Sequence, residues 1–259
     1  MQPILIRITV YPIKSLDGHR LQKVTITGGG SLAHDREFAL VDDAGRYING
    51  KRTSRVHHLR TSADLSSGVI NLSAGEKCVR FDVEGKTVET EEWLGSFFGH
   101  RISLRHDSLT GFPDDTNANG PTLVSTATIE EVASWFSGLN ADEVRRRFRP
   151  NLEISGVPAF WEDRLFAGRS EVVRFTIGPV SFEGTNPCAR CVVPTRNPET
   201  GSPYTDFQQE FMRKRRELLP LWTNPSRFNH FYRMCVNTRI DRKDAGKILQ
   251  CGDELKLLG

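Results

Sequence analysis

The sequence predicts a β-rich α+β fold, made of barrel-like sheets with a few inserted helices. Short runs rich in β-branched and aromatic residues recur between Gly and Asp turns, and helical periodicity is confined to a few segments. Strands and helices do not alternate as a doubly wound sheet requires.

Residues 4–11 alternate in polarity and read as a strand, and 21–26, 37–41, 69–72 and 79–83 repeat that character. A helix is predicted over 91–98, where Trp93, Leu94, Phe97 and Phe98 recur at helical spacing and Gly99 supplies the stop. The stretch 111–121 is crowded with Gly, Pro, Asp and Asn, which marks it as a boundary or mobile loop and divides the chain into 1–115 and 116–259. Beyond it, 122–125 reads as a strand, and Thr128 with Glu131 predicts a capping box for a helix through Phe136. A second helix is predicted over 142–148, after which Pro150 directs Arg149 into extended geometry ahead of a strand at 152–154. Residues 172–177 and 180–182, split by Gly178-Pro179, predict a hairpin. The longest helical pattern, 206–219, is closed by Pro220, and 247–249 and 254–258 read as final strands.

The chain has 259 residues, 37% of them hydrophobic, enough for one large or two modest domains with a real core. Its net charge of +3 sits on 35 basic and 32 acidic residues, so anion binding must come from local clustering and a general nucleic-acid coat is excluded. No apolar stretch reaches the roughly 18 residues that span a bilayer, and the start lacks a signal-like pattern, which points to a cytoplasmic protein without a membrane partner. Five cysteines, unevenly spaced, suit reduced thiols better than a disulfide framework.

The segment with most chemistry is Asn186-Pro187-Cys188-Ala189-Arg190-Cys191-Val192-Val193-Pro194-Thr195-Arg196-Asn197-Pro198-Glu199-Thr200-Gly201. A cation beside two cysteines favours the thiolate, the form that binds metals and attacks electrophiles. A thioredoxin-like pair would need a helix N-terminus, which Pro194 and Pro198 oppose. A zinc site would need two further ligands, with His230, Cys235 and Cys251 the candidates but at no recognisable spacing. Spacing alone also allows two packed small side chains.

The run Cys-x-Arg-Cys, then Pro-Thr and Asn-Pro-Glu-Thr-Gly, resembles the signature of MOSC domains, in the branch of the mitochondrial amidoxime-reducing component and its bacterial relatives. Tyr11-Pro12-Ile13-Lys14-Ser15 and His34-Asp35-Arg36-Glu37-Phe38 are similar to blocks of that family's N-terminal β-barrel domain. The stretch 122–129, the block Phe148-Arg149-Pro150-Asn151 and the ending Gly252-Asp253 resemble successive parts of its MOSC domain. The likeness is ordered and nearly full length.

That resemblance implies a molybdenum cofactor, Mo-molybdopterin, with Cys191 as catalytic residue and metal ligand and Cys188 as a variable neighbour. A soft thiolate suits a metal that already holds pterin sulfur. It further implies that Lys14, Ser15, Arg36, Arg149 and Asn151 grip the pyranopterin phosphate, in a cleft between the two halves. Taken alone, Lys14 and Arg36 read as solvated charges, and Arg145 to Arg147 as a helical face turned to water. The resemblance places no acid of the 114–121 run beside the metal. The implied function is an oxidoreductase that reduces small N-hydroxylated substrates such as amidoximes and hydroxylamines. Electrons would come from a separate donor protein of flavin, ferredoxin or cytochrome b5 type. Two other readings remain: a cofactor carrier or sulfur-transfer module working through Cys191, and a zinc-stabilised binding module.

Overall fold

In the computed structural model, residues 2–169 and 171–258 are described, and among them run fifteen strands and four α-helices. In chain order these are β1 (Ile4–Val10), β2 (His19–Leu21), β3 (Lys23–Thr25), β4 (Phe38–Asp42), β5 (Arg60–Asp64), β6 (Val69–Ala74), β7 (Lys77–Asp82), α1 (Val88–Phe98) and β8 (Ile102–His106). The second half holds β9 (Leu123–Ser125), α2 (Thr126–Ser134), α3 (Ala141–Phe148), β10 (Leu152–Ser155), β11 (Val173–Ile177), β12 (Val180–Ala189), α4 (Phe207–Glu217), β13 (Arg233–Ile240), β14 (Ile248–Gln250) and β15 (Leu255–Leu257). The fold is the predicted β-rich α+β class.

One sheet of eight strands runs in the order β15-β11-β12-β13-β9-β10-β1-β2. Every pair in it is antiparallel except β9–β10. A parallel neighbour cannot be reached by a hairpin, so the chain crosses over through α2 and α3, which explains the helices at that point. β1 supplies Leu5, Ile8 and Val10 to the same core as Phe175, Phe182 and Val236 of the late strands, so the two ends of the chain share one hydrophobic interior. A second core, from Ile13 to Leu104, fills the space between the β4–β8 pair, the β5-β6-β7 meander and α1. A third packs the helices against the sheet through Phe136, Phe148, Phe207 and Phe211.

The predicted barrels are not closed among the described residues. Gln22 interrupts the strand predicted over 21–26, and the resulting β3 leaves the main sheet to pair with β14. The Ile4–Glu254 bridge and the backbone hydrogen bonds Leu5 N–H to Asp253 O, Gly252 N–H to Leu5 O and Leu255 N–H to Pro3 O carry the pairing back toward β15 without a further ladder.

Three local expectations are also revised. The α2 cap is Ser125, whose hydroxyl accepts from the Thr128 N–H, while Thr128 is buried and accepts from the Phe160 N–H. Arg149 ends α3 in the left-handed region (φ 55°, ψ 50°), and extended geometry begins only at β10. The loop 111–121 is tied down: Phe112 N–H bonds to Arg36 O at 2.8 Å, and Asn119 Nδ2 donates to Gly29 O at 2.7 Å. Gly111 permits that approach, because at its φ of +64° a Cβ would stand 2.5 Å from Asp35 O.

Candidate functional site

The cysteine segment leaves the end of β12, where the β12–β13 register slips between Pro187 and Ala189. The slip turns both sulfurs toward the same space, and neither cysteine is fully buried. Arg190 Nη1 donates to Cys188 Sγ at 3.1 Å, and the Val193 N–H lies 3.5 Å from Cys191 Sγ. Burial works against the Arg190 charge, and the sulfurs of Cys188, Cys235 and Cys191 outweigh it, holding the guanidinium above its ordinary value.

A single arginine of α3 holds the turn that follows. Arg147, 3% exposed, donates to Pro194 O at 2.9 Å and Arg196 O at 2.8 Å, and Glu143 one helical turn back grips its other edge. The sequence reading put Arg147 in water, yet it fixes the loop that presents Cys191. The Asn-Pro-Glu-Thr-Gly stretch earns its composition as a turn, with Asn197 Oδ1 accepting from the N–H groups of Glu199 and Thr200.

Across the cleft stand the expected cations, and neither Lys14 nor Arg36 is a solvated strand-end charge. Lys14 is 6% exposed; its Nζ donates to Phe112 O at 2.8 Å and to Asp114 Oδ1 at 2.7 Å. Burial holds the Lys14 amine below its usual value, with Asp114 opposing the shift. Arg36 pairs with Asp35 and reaches Asn151 Oδ1 at 3.3 Å. Asn151 is buried; its Nδ2 donates to Thr9 O, and its Oδ1 accepts from the Thr122 N–H, joining β1 to β9. Arg149 lies over the Tyr11 ring at 4.0 Å and donates to Leu16 O, but its buried Nη2 has no protein partner.

Three of these residues share a costly backbone. Ser15, Arg36 and Arg149 have φ of 74°, 53° and 55°, a region that costs a side-chain-bearing residue roughly 1–2 kcal/mol. Strain held at three positions around one cleft is the pattern of a site whose geometry is imposed by its surroundings.

All six residues chosen from the sequence, Lys14, Ser15, Arg36, Arg149, Asn151 and Cys191, open onto one cavity of about 540 Å³. Cys188, Arg190, Asp114 and Asn237 line it as well. Sequence reasoning passed over Asp114, Arg147 and Arg190 as site residues. Only Arg190 carried a local signal, its place between two cysteines. The second half of a zinc site is not assembled: among the described residues no three His, Cys, Asp or Glu side chains are grouped to hold a metal. Cys235 is buried in the helix-facing core, and Cys251 lies beside Leu21 O at the turn between β14 and β15.

Profiles of two domain families match the chain: the MOSC N-terminal beta barrel domain over residues 2–142 and the MOSC domain over residues 121–256. Among curated relatives, a molybdenum cofactor sulfurase of Oryza sativa subsp. japonica is 24% identical over 241 residues, covering 75% of this chain and 28% of that protein. One of Drosophila mojavensis is 24% identical over 285 residues, covering 98% of this chain and 34% of that protein. The chain thus spans about a third of the length of these relatives. The solved structure of the YUAD protein from Bacillus subtilis aligns over 98% of this chain and 94% of that one, at 10% identity and a TM-score of 0.41, too low to carry weight.

Proposed function

The chain belongs to the MOSC domain family, with both the N-terminal barrel domain and the MOSC domain, and on that premise we propose that it binds a molybdenum cofactor through Cys191. The observation that carries this reading is one cavity on which a partly exposed thiol and buried cations from both halves of the chain converge. The donor set fits the group: one soft sulfur for the metal, Lys14, Arg36 and Arg149 for a phosphate, and an Arg149 nitrogen still without a partner. The volume of about 540 Å³ lies within the roughly 300–1,000 Å³ of ligand sites.

When bound, the cofactor supplies two-electron redox chemistry at a metal. The chain supplies placement. The Val193 N–H faces the Cys191 sulfur, while Arg147 keeps that loop in position through Pro194 and Arg196. Ser15 adds a hydroxyl beside the cations, and Asn151 ties β1 to the start of β9 through its amide. The reaction proposed is reduction of an N-hydroxylated base: two electrons and two protons convert an amidoxime or hydroxylamine to the amine-level product and water. The electrons come from a separate donor protein of flavin, ferredoxin or cytochrome b5 type.

A second reading is sulfur handling, favoured by two sulfurs opening onto one cavity and by relatives named molybdenum cofactor sulfurases. Protein made in a molybdopterin-competent host separates the two. Under the first reading, wild type and Cys188→Ser retain molybdenum, Cys191→Ser loses it, and wild type with a chemical reductant turns over benzamidoxime. Protein that holds molybdenum, leaves benzamidoxime untouched and accepts sulfane sulfur on Cys191 is a sulfur-transfer module instead. Loss of molybdenum in Cys188→Ser with retention in Cys191→Ser overturns the choice of ligand.

A further inference from the structure

Behind the cofactor cleft lies a second cavity of about 350 Å³, bounded by β1, α3, the 56–60 segment and the 193–198 loop. Among the residues it shares with the first cavity are Ser15, His57, Arg147, Arg149 and Asn151, and neither Cys188 nor Cys191 lines it. Eight arginines line it against three carboxylates, Asp17, Asp142 and Glu153.

Ion pairs account for most of that charge but not all. Arg7 and Arg145 pair with Glu153, Arg145 also with Asp142, and Arg60 with Asp17. Arg146 and Arg147 pair with Glu199 and Glu143. Among the described residues, Arg20, Arg149 and Arg196 have no carboxylate within ion-pair distance.

The hydrogen bonds leave a matching deficit. His57 Nε2, Arg149 Nη2 and Arg196 Nε are buried and have no protein partner, and His57 as a whole is 8% exposed. All three side chains line this cavity. Burial, then the nearby Arg196, holds the His57 imidazole below its ordinary value, against the Pro198 backbone, which favours the protonated ring. Buried guanidinium nitrogens are costly to leave unmatched, and an oxyanion between Arg149 and Arg196, beside the His57 ring, supplies the missing acceptor.

We propose that this second cavity is an oxyanion site that takes a phosphate group on Arg196, Arg149 and His57. A volume of about 350 Å³ lies near the roughly 300 Å³ lower bound for ligand sites, which suits a phosphate carrying a small organic group. Two sources supply that chemistry. One is the phosphate of a nucleotide that extends the cofactor across the shared wall at Ser15 and Arg149, and this source rests on the molybdenum-cofactor reading. The other is a separate phosphate monoester or inorganic phosphate, which does not.

The test titrates inorganic phosphate into cofactor-free protein and follows the His57 ring by carbon-13 NMR. Wild type, Lys14→Gln and Cys191→Ser should show a saturable shift of that ring, whereas Arg196→Gln should need at least tenfold more phosphate or show no shift. Arg196→Lys should retain an intermediate response, which separates lost charge from lost fold. Because Cys191→Ser keeps the phosphate response even where molybdenum is lost, failure of the cofactor reading and failure of this one are distinguishable. Acid release from cofactor-loaded protein then names the source: one equivalent of nucleotide assigns the cavity to the cofactor's extension, and none assigns it to a separate phosphate ligand. A His57 ring that ignores phosphate in wild type, or a response abolished by Lys14→Gln but kept in Arg196→Gln, overturns the proposal.

Discussion

Replacing Arg149 by Gly and by Ala separates what that residue does for the fold from what it does for a ligand. Its left-handed backbone, φ 55° and ψ 50°, suits Gly freely but costs Ala roughly 1–2 kcal/mol, as it already costs Arg. Both variants lose the stacking over Tyr11 at 4.0 Å, worth roughly 0.5–2 kcal/mol, and the bond to Leu16 O. Both also remove a buried charge with an unpaired Nη2, which gives back part of that loss. Gly carries a larger unfolded-state entropy, about 0.5–1 kcal/mol, so the net advantage of Arg149→Gly over Arg149→Ala is about 1 kcal/mol. At this chain length that is a melting-temperature difference of about 2–4 °C, readable by calorimetry. Each variant should bind phosphorylated cofactor about 10- to 150-fold more weakly, the equivalent of one charge-assisted hydrogen bond of about 1.5–3 kcal/mol. Molybdenum and pterin content after graded dialysis measures it. An Ala variant as stable as the Gly variant would refute the strain argument. Wild-type retention of cofactor in either would refute the role of Arg149 as a ligand.

Two further outcomes follow from two carboxyls, Glu162 buried and Asp114 exposed. Glu162 is 1% exposed beside the start of α2, and burial, then neighbouring Asp163, pushes its pKa up to about 7 from 4.5, against the Thr128 and Ser125 hydroxyls that favour the anion. A carboxyl raised on folding costs stability as pH climbs from about 4.5 to about 7 and holds that cost above it, so Glu162→Gln should match wild type in urea melts at pH 4 and exceed it at pH 8. Burial opposes the Asp114 charge, but Lys14 prevails and holds the carboxyl down at about 2, below its usual 3.8. A depressed carboxyl contributes stability above the usual value and loses it as pH falls toward 2. Asp114→Asn should remove that acid-sensitive component and, by freeing Lys14, bind inorganic phosphate more tightly than wild type; unchanged phosphate binding would show that Asp114 does not compete for Lys14.

Much of the local structure is legible in the residues themselves. The apolar spacing in 91–98 gives one buried face to α1, and Gly99 ends it at φ 80° because no side chain opposes that turn. Gly178-Pro179 forms the β11–β12 hairpin as its turn chemistry dictates. By contrast β13, the central strand beside β12, went unread: Arg233, Asn237, Thr238 and Arg239 give it a polar pattern. Its buried polar groups are satisfied from afar, Thr238 by Pro121 O and Asn237 by Asp115. The capping residue of α2 was misplaced because Ser125 and Thr128 are both good caps, and only the burial of Thr128 against Phe160 decides between them.

The sequence by itself determined the kind of chemistry: a thiol pair with an arginine between, cations and an amide in an order that resembles the family's, and the strand-rich pattern that carries them. Only the tertiary structure decided which charges are buried, which are spent on one another and which are left facing a cavity. Lys14 meets Asp114 across 100 residues, Arg36 meets Asn151 across 115, and Arg147 reaches the cysteine loop across 47. A residue's propensity and ligand chemistry travel with it along the chain, whereas its desolvation and its partners belong to neighbours that only folding brings near.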